Sequence, residues 1–272
     1  MEDWGGLKPV YGRPRPYLCR RGRLHTSMAS SLSPSFQNSN EGIDNPAAWG
    51  ADAVAVGKFM RLIEYLLLYM GLPLLLWVTK AQNMLLPVLW LGAIFAWTLL
   101  RYGKGNRVSP VAGATLNLRK ELIFISLRFA GVALFLVVAL DFYRPELLFW
   151  LPRRSLGLWG LIVIAYPLIS VYPQALVYRA LYERRYAQTF SSPLLSLLMG
   201  ALVFCLAHIP FDNVWALAFT LPGGFLFLQT YRRTGSLGLS TLEHALYGDL
   251  LFTIGWGACL ASAGTQNLFL GL

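Results

Sequence analysis

From about residue 59 onward, apolar stretches of near-bilayer length follow one another, and the charged residues collect between them. A helix that crosses a membrane needs ~20 mostly apolar residues at a rise of ~1.5 Å each. The stretches near 62–79, 84–100, 121–141, 157–182, 194–211, 213–231 and 238–256 meet that requirement, and 258–272 offers a short eighth element. In lipid, each backbone polar group must find a partner within the chain, and a helix provides one. The expected fold is therefore all-α, a polytopic transmembrane helical bundle of about seven to eight spans. Residues 58–150 would hold the first helices and residues 151–272 a core carrying the polar motifs.

Composition agrees. The 272 residues are 56% hydrophobic and 13% charged, against roughly 25% charged in soluble domains. The formal net charge of +10 would suit nucleic acid, but no polar module gathers the basic residues on one face. They flank the apolar stretches at Lys80, in the 101–120 linker, at Arg144, Arg153 and Arg154, at Arg184 and Arg185, and at Arg232 and Arg233. Lys and Arg favour the cytoplasmic side of membrane proteins, and alternate counting gives a cytoplasmic N-terminus. The lipid bilayer is the first partner, and nucleic acid is excluded. Cys19, Cys205 and Cys259 are far apart, which gives neither a disulfide framework nor zinc-finger spacing.

Residues 1–57 read differently. Arg13, Arg15, Arg20, Arg21 and Arg23 precede the run SMASSLSPSFQNSN, with no long apolar stretch. Such a segment cannot bury a core and is expected to be a disordered tail.

Arg179, His208 and His244 are ionisable residues that fall within the apolar stretches. An ionisable group in a span is costly and points to function. Pro167, Pro173, Pro222 with Gly223 and Gly224, and Gly248 lie near them. Helix breaks in a membrane need neighbours or a water-filled cavity to satisfy the freed backbone, so this clustering predicts a cavity. Counting along the helices puts position 175 ~10 Å, His208 ~18 Å and His244 ~10–12 Å from the same membrane edge. Two imidazoles and a carboxylate there would suit a metal site or general-base catalysis, since zinc takes three protein ligands and leaves a position for water. Blander roles compete: a histidine bonded to a carbonyl, a snorkelling arginine, Asp212 and Asn213 as a helix N-cap pair, Tyr247-Gly248-Asp249 as a close helix contact, and Glu183-Arg184-Arg185 as a charged helix end.

Residues 157–256 resemble the CPBP family, the CAAX-protease and bacteriocin-processing intramembrane peptidases, also called Abi-like. Its motifs are EExxxR, FxxxH and HxxxN on successive helices. Arg179 fits the first, Phe204 and His208 the second with Asn213 following, and His244 the third, within a stretch that looks like a bacterial branch of the family. The glutamates of the first motif fall on Gln174 and Ala175, and Gly248, beside Asp249, stands where asparagine is usual. The resemblance implies water activation at His208 and His244, which would serve as metal ligands or polarise the scissile carbonyl, with Arg179 orienting the site and Gln174 able to donate a hydrogen bond. Phe204, Asn213, Tyr247, Gly248 and Asp249 would support substrate. It is compatible with zinc, another divalent metal, or none, and implies a membrane-proximal or lipidated peptide substrate and a bacterial inner membrane. Ala175 can neither bind metal nor accept a proton, so an inactive, peptide-binding relative is the alternative reading. Glu243 points ~100° away from His244 around a helix, and Asp249 stands five residues on. A transporter with a polar midplane is a third reading.

Overall fold

The computed structural model describes residues 46–102 and 117–260, with side chains from residue 56. Regular structure among them is helical throughout. Six helices are long and apolar enough to cross a bilayer: α1 (Val56–Val78), α2 (Gln82–Tyr102), α3 (Leu118–Tyr143), α4 (Leu156–Arg185), α5 (Pro193–Phe211) and α6 (Val214–Thr234). A further helix, α7 (Leu237–Ile254), carries Glu243, His244 and Asp249. The chain is an integral membrane protein with an all-α, polytopic fold. Of the expected eighth element, the described part is a five-residue helix, Trp256–Leu260; 261–272 lie outside the described residues.

The tail boundary needs a correction. The helix that leads into α1 already begins at Pro46. Proline suits the first helical position, and the alanine-rich run that follows has high helix propensity. Residues 1–45, where most of the expected tail falls, lie outside the described residues.

Local chemistry explains the other boundaries. Asn117, Ser155, Ser192 and Ser236 each accept a hydrogen bond from a backbone N–H in the first turn of the helix they precede. Gly235 (φ 64°) and Gly255 (φ 120°) end α6 and α7 in the left-handed region.

The expected breaks in α4 take another form. Pro167 and Pro173 do not interrupt it; the helix widens into π-turns at Pro167–Val171 and Leu176–Leu181. A proline lacks an N–H, and a wider turn leaves carbonyls to be met from elsewhere. The Trp90 indole donates to the Ile169 carbonyl at 3.0 Å and the Tyr69 hydroxyl to the Val177 carbonyl at 2.7 Å. Pro222 likewise lies within an unbroken α6. A Cβ on Gly224 would come within 3.1 Å of Phe204 and Ala201 atoms, so glycine there permits close approach of α5 and α6.

Much of α4 is buried. Tyr65 and Tyr69 from α1 pack with Tyr182 of α4 and with Tyr186, which follows it, in one apolar cluster. At one end of the bundle Lys80 meets Asp212 at 3.4 Å. At the other, Arg185 pairs with Glu64 at 2.6 Å, Arg232 with Glu183 at 2.7 Å, and Arg233 with Glu121. Glu183-Arg184-Arg185 is thus a charged helix end whose outer members are tied to neighbouring helices.

Candidate functional site

α4, α5, α6 and α7 bring the polar residues together around two phenylalanine rings. Arg179 sits in the second π-turn of α4, 2% exposed. Its guanidinium carbon lies 5.3 Å from the Phe204 ring centre and 5.1 Å from that of Phe227. Its Nη2 is 3.0 Å from His244 Nδ1. Guanidinium nitrogens only donate, so Nδ1 accepts, and a neutral ring then carries its proton on Nε2. That nitrogen is 3.3 Å from the Tyr166 hydroxyl and donates to its oxygen. Both nitrogens of His244 are engaged. Its ring stacks on Phe227 at 4.5 Å and meets Phe204 edge-on at 5.4 Å.

His208 stands on the other side of Phe204, with ring centres 5.0 Å apart. It does not lie inside a helix as expected. The helical part of α5 ends at Leu206, and His208 occupies the turn before the short Ile209–Phe211 helix. Pro210, which cannot continue the hydrogen-bonded ladder, follows two residues later. His208 Nδ1 lies 2.8 Å from the Phe204 carbonyl, an acceptor, so Nδ1 holds the proton and Nε2 keeps its lone pair.

Ala175 is fully buried, one helical turn before Arg179. Gln174 donates from Nε2 to Ser170 Oγ at 2.8 Å, and its Oε1 is buried without a partner. Among the described residues, no carboxylate hydrogen-bonds to His208 or His244. Glu243 faces away from its neighbour and pairs with Arg128 of α3.

The remaining expected residues scatter. Asn213 caps α6, accepting from the N–H groups of Trp215 and Ala216, and its Nδ2 donates to the Cys259 carbonyl at 2.6 Å. Asp212 is not its capping partner, because it pairs with Lys80 and accepts from the Trp77 indole at 3.0 Å. These two contacts hold the Asp212 carboxyl below its ordinary range. Tyr247 packs on Phe129 and Phe227, its hydroxyl buried and unpartnered, and one carboxyl oxygen of Asp249 is also buried without a partner. A cleft of about 290 Å³ lies at the bundle end, lined by Tyr143, Arg144, Asn213 and Trp215 among others.

Sequence reasoning missed Tyr166. A Cβ built on Gly248 would collide with the Tyr166 ring, with its hydroxyl oxygen at 2.6 Å. The tyrosine occupies the space a side chain at 248 would need. The expected close helix contact at Gly248 is therefore real, and Tyr166 makes it.

A resident metal does not fit this donor set. Zinc sites use at least three protein ligands, and among the described residues no group of three His, Cys, Asp or Glu could hold an ion. The Nδ1 lone pair of His244 is already committed to Arg179.

Residues 155–248 match the family model described as Type II CAAX prenyl endopeptidase Rce1-like. The matched stretch runs from the cap of α4 to Gly248 and holds Tyr166, Gln174, Arg179, Phe204, His208 and His244. The likeness covers about a third of the chain, 94 of its 272 residues, and makes that part similar to the CAAX-protease-like membrane endopeptidases. No curated protein and no solved structure matches the chain.

Proposed function

We propose that this CAAX-endopeptidase-like membrane protein holds a membrane-proximal or lipidated peptide without hydrolysing it. Amide hydrolysis needs a group that takes a proton from water. At the position the family resemblance reserves for that acid, the chain has a buried alanine. The observation that carries the reading is the state of His244: Arg179 occupies one ring nitrogen and Tyr166 the other. Tyr166 also fills the space above Gly248. What remains is the scaffold, a guanidinium, and the free nitrogen of His208. The Lys and Arg distribution favours a cytoplasmic N-terminus, and the resemblance favours a bacterial inner membrane.

The test compares turnover and retention of a farnesylated peptide in detergent by the chain and by Ala175→Glu. The chain is expected to retain the peptide intact. Cleavage by the unaltered chain, lost in His208→Ala and in His244→Ala, would overturn the reading. One observation favours a second reading, hydrolysis with a displaced acid: Asp249 has a buried carboxyl oxygen without a partner. In that case Asp249→Asn would abolish turnover.

A further inference from the structure

α3 is held in two different ways along its length. Its second half is anchored by apolar packing: Leu136 and Leu140 are buried with Leu147, Ile254 and Trp256, and the Trp256 indole donates to the Leu136 carbonyl at 3.0 Å. In its first half Ile125 alone is buried, and the ties to α6 and α7 are ionic. Arg233 of α6 pairs with Glu121; Arg128 pairs with Glu243 of α7 and donates to Thr230 of α6 at 2.9 Å. The Phe124 ring, 46% exposed, lies between the two guanidiniums, 5.0 Å from that of Arg128 and 4.4 Å from that of Arg233. These ties are incomplete. Arg128 Nε, Arg233 Nη2, Glu243 Oε2 and the Tyr247 hydroxyl are buried without hydrogen-bond partners. A polar network that is only partly satisfied holds less firmly than a complete one.

Gly131 stands between the halves. Glycine weakens a helix interior relative to alanine, and a packing reason for keeping it is the usual explanation. Packing gives none here: a Cβ on Gly131 would meet no atom of the described residues within 4 Å. A soft point between an apolar anchor and an unfinished polar latch has the make-up of a hinge. We infer that α3 is a lateral gate, whose first half swings on Gly131 and releases Arg128 from Glu243 and Glu121 from Arg233. The surface uncovered lies behind Phe129: Tyr247, which packs on Phe227, which in turn stacks on His244. Opening gives a hydrocarbon chain a way from the bilayer to the aromatic wall of the site. The gate goes beyond the peptide-holding reading and stands or falls without it.

The experiment measures distances between paired spin labels on the full chain in lipid nanodiscs, with Cys19, Cys205 and Cys259 replaced by alanine. One pair, Leu122→Cys with Leu194→Cys, joins the first half of α3 to the start of α5. The other, Phe142→Cys with Val214→Cys, joins the far end of α3 to the start of α6. All four side chains are exposed. The first pair is expected to show two distances and the second pair one. Glu243→Gln is expected to raise the ratio of longer to shorter distance about tenfold, the scale of a hydrogen bond to a charged group; should that variant not fold, Glu121→Gln releases the other tie. Gly131→Ala, which meets no clash, is expected to lower the ratio about fivefold in either background. A photoactivatable fatty acid is expected to label Tyr247 in step with the longer distance. A single distance for the first pair in both the chain and the latch variant would overturn the inference, as would Gly131→Ala without effect. Lengthening of both pairs together, the mark of general loosening, or labelling of Tyr247 that does not follow the distances, would overturn it as well.

Discussion

Arg128 and Arg179 both lie within membrane spans, and their surroundings differ in one respect. Arg128 reaches from α3 to Glu243 and donates to Thr230 Oγ1 at 2.9 Å. Arg179 is more deeply buried yet has two aromatic faces and a neutral histidine and, among the described residues, no ion pair; each arginine keeps one buried nitrogen without a hydrogen-bond partner. A buried charge with a hydrogen-bonded partner belongs to the architecture, for it fixes α3 against α6 and α7. A buried charge without an ionic partner costs stability that its other contacts offset only in part. The difference separates an arginine paired within the fold from one that has no ionic partner among the described residues.

That distinction can be broken most sharply from the Glu243 side. Glu243→Ala leaves the half-buried Arg128 without its carboxylate, and a loss of about 3 kcal/mol is expected, read as a large fall in thermal unfolding temperature in detergent. Arg179→Met removes a charge that has no anion to abandon; the cost is the His244 nitrogen left without a donor, about 1–2 kcal/mol. If Arg179→Met proved as damaging as Glu243→Ala, the two arginines would not differ in kind. Gly248→Ala drives a methyl into the Tyr166 ring and is expected to cost about 1–3 kcal/mol. Combined with Tyr166→Ala, the same change should cost less than the sum of the two, which a double-mutant cycle measures.

Smaller effects probe the frame around the site. Tyr69→Phe leaves the Val177 carbonyl of the π-turn unmet, an expected loss of about 1 kcal/mol, with the Arg179 region showing the change first in hydrogen exchange. The smallest effect belongs to the exposed contact of Lys80 and Asp212. The Asp212 carboxyl is held below its ordinary range by Trp77 and Lys80. Its contribution is therefore present above the unfolded value and fades as pH falls through the folded one. A slight acid-side loss of stability, absent from Asp212→Asn, is the expected result.

The frame was readable from hydropathy, because a bilayer allows few alternatives to an apolar helix. Arg179, His208 and His244 were readable because ionisable residues stand out in such helices, and the structure does bring their side chains around Phe204. Other parts were hidden for definite reasons. Pro167 and Pro173 read as breaks, since the sequence does not show that Trp90 and Tyr69, on α2 and α1, supply donors to the carbonyls of α4. Tyr166 read as one more aromatic in a span. Its partner is an absence, the missing side chain of Gly248, and pairing a ring with a hole 82 positions away (248 − 166) requires the fold. The bond between Arg128 and Glu243 is equally long-range, although an arginine within the apolar run SLRFAG was a signal that could have been followed. His208 was placed inside a helix because the apolar run continues through it; Pro210 ends that helix earlier.

The most direct measurement is the mass of a farnesylated peptide after long incubation with the purified, unaltered chain in detergent, alongside the fraction that stays bound. The account predicts peptide of unchanged mass, retained on the protein. Peptide shortened at a defined bond, with cleavage lost in His244→Ala, would contradict it.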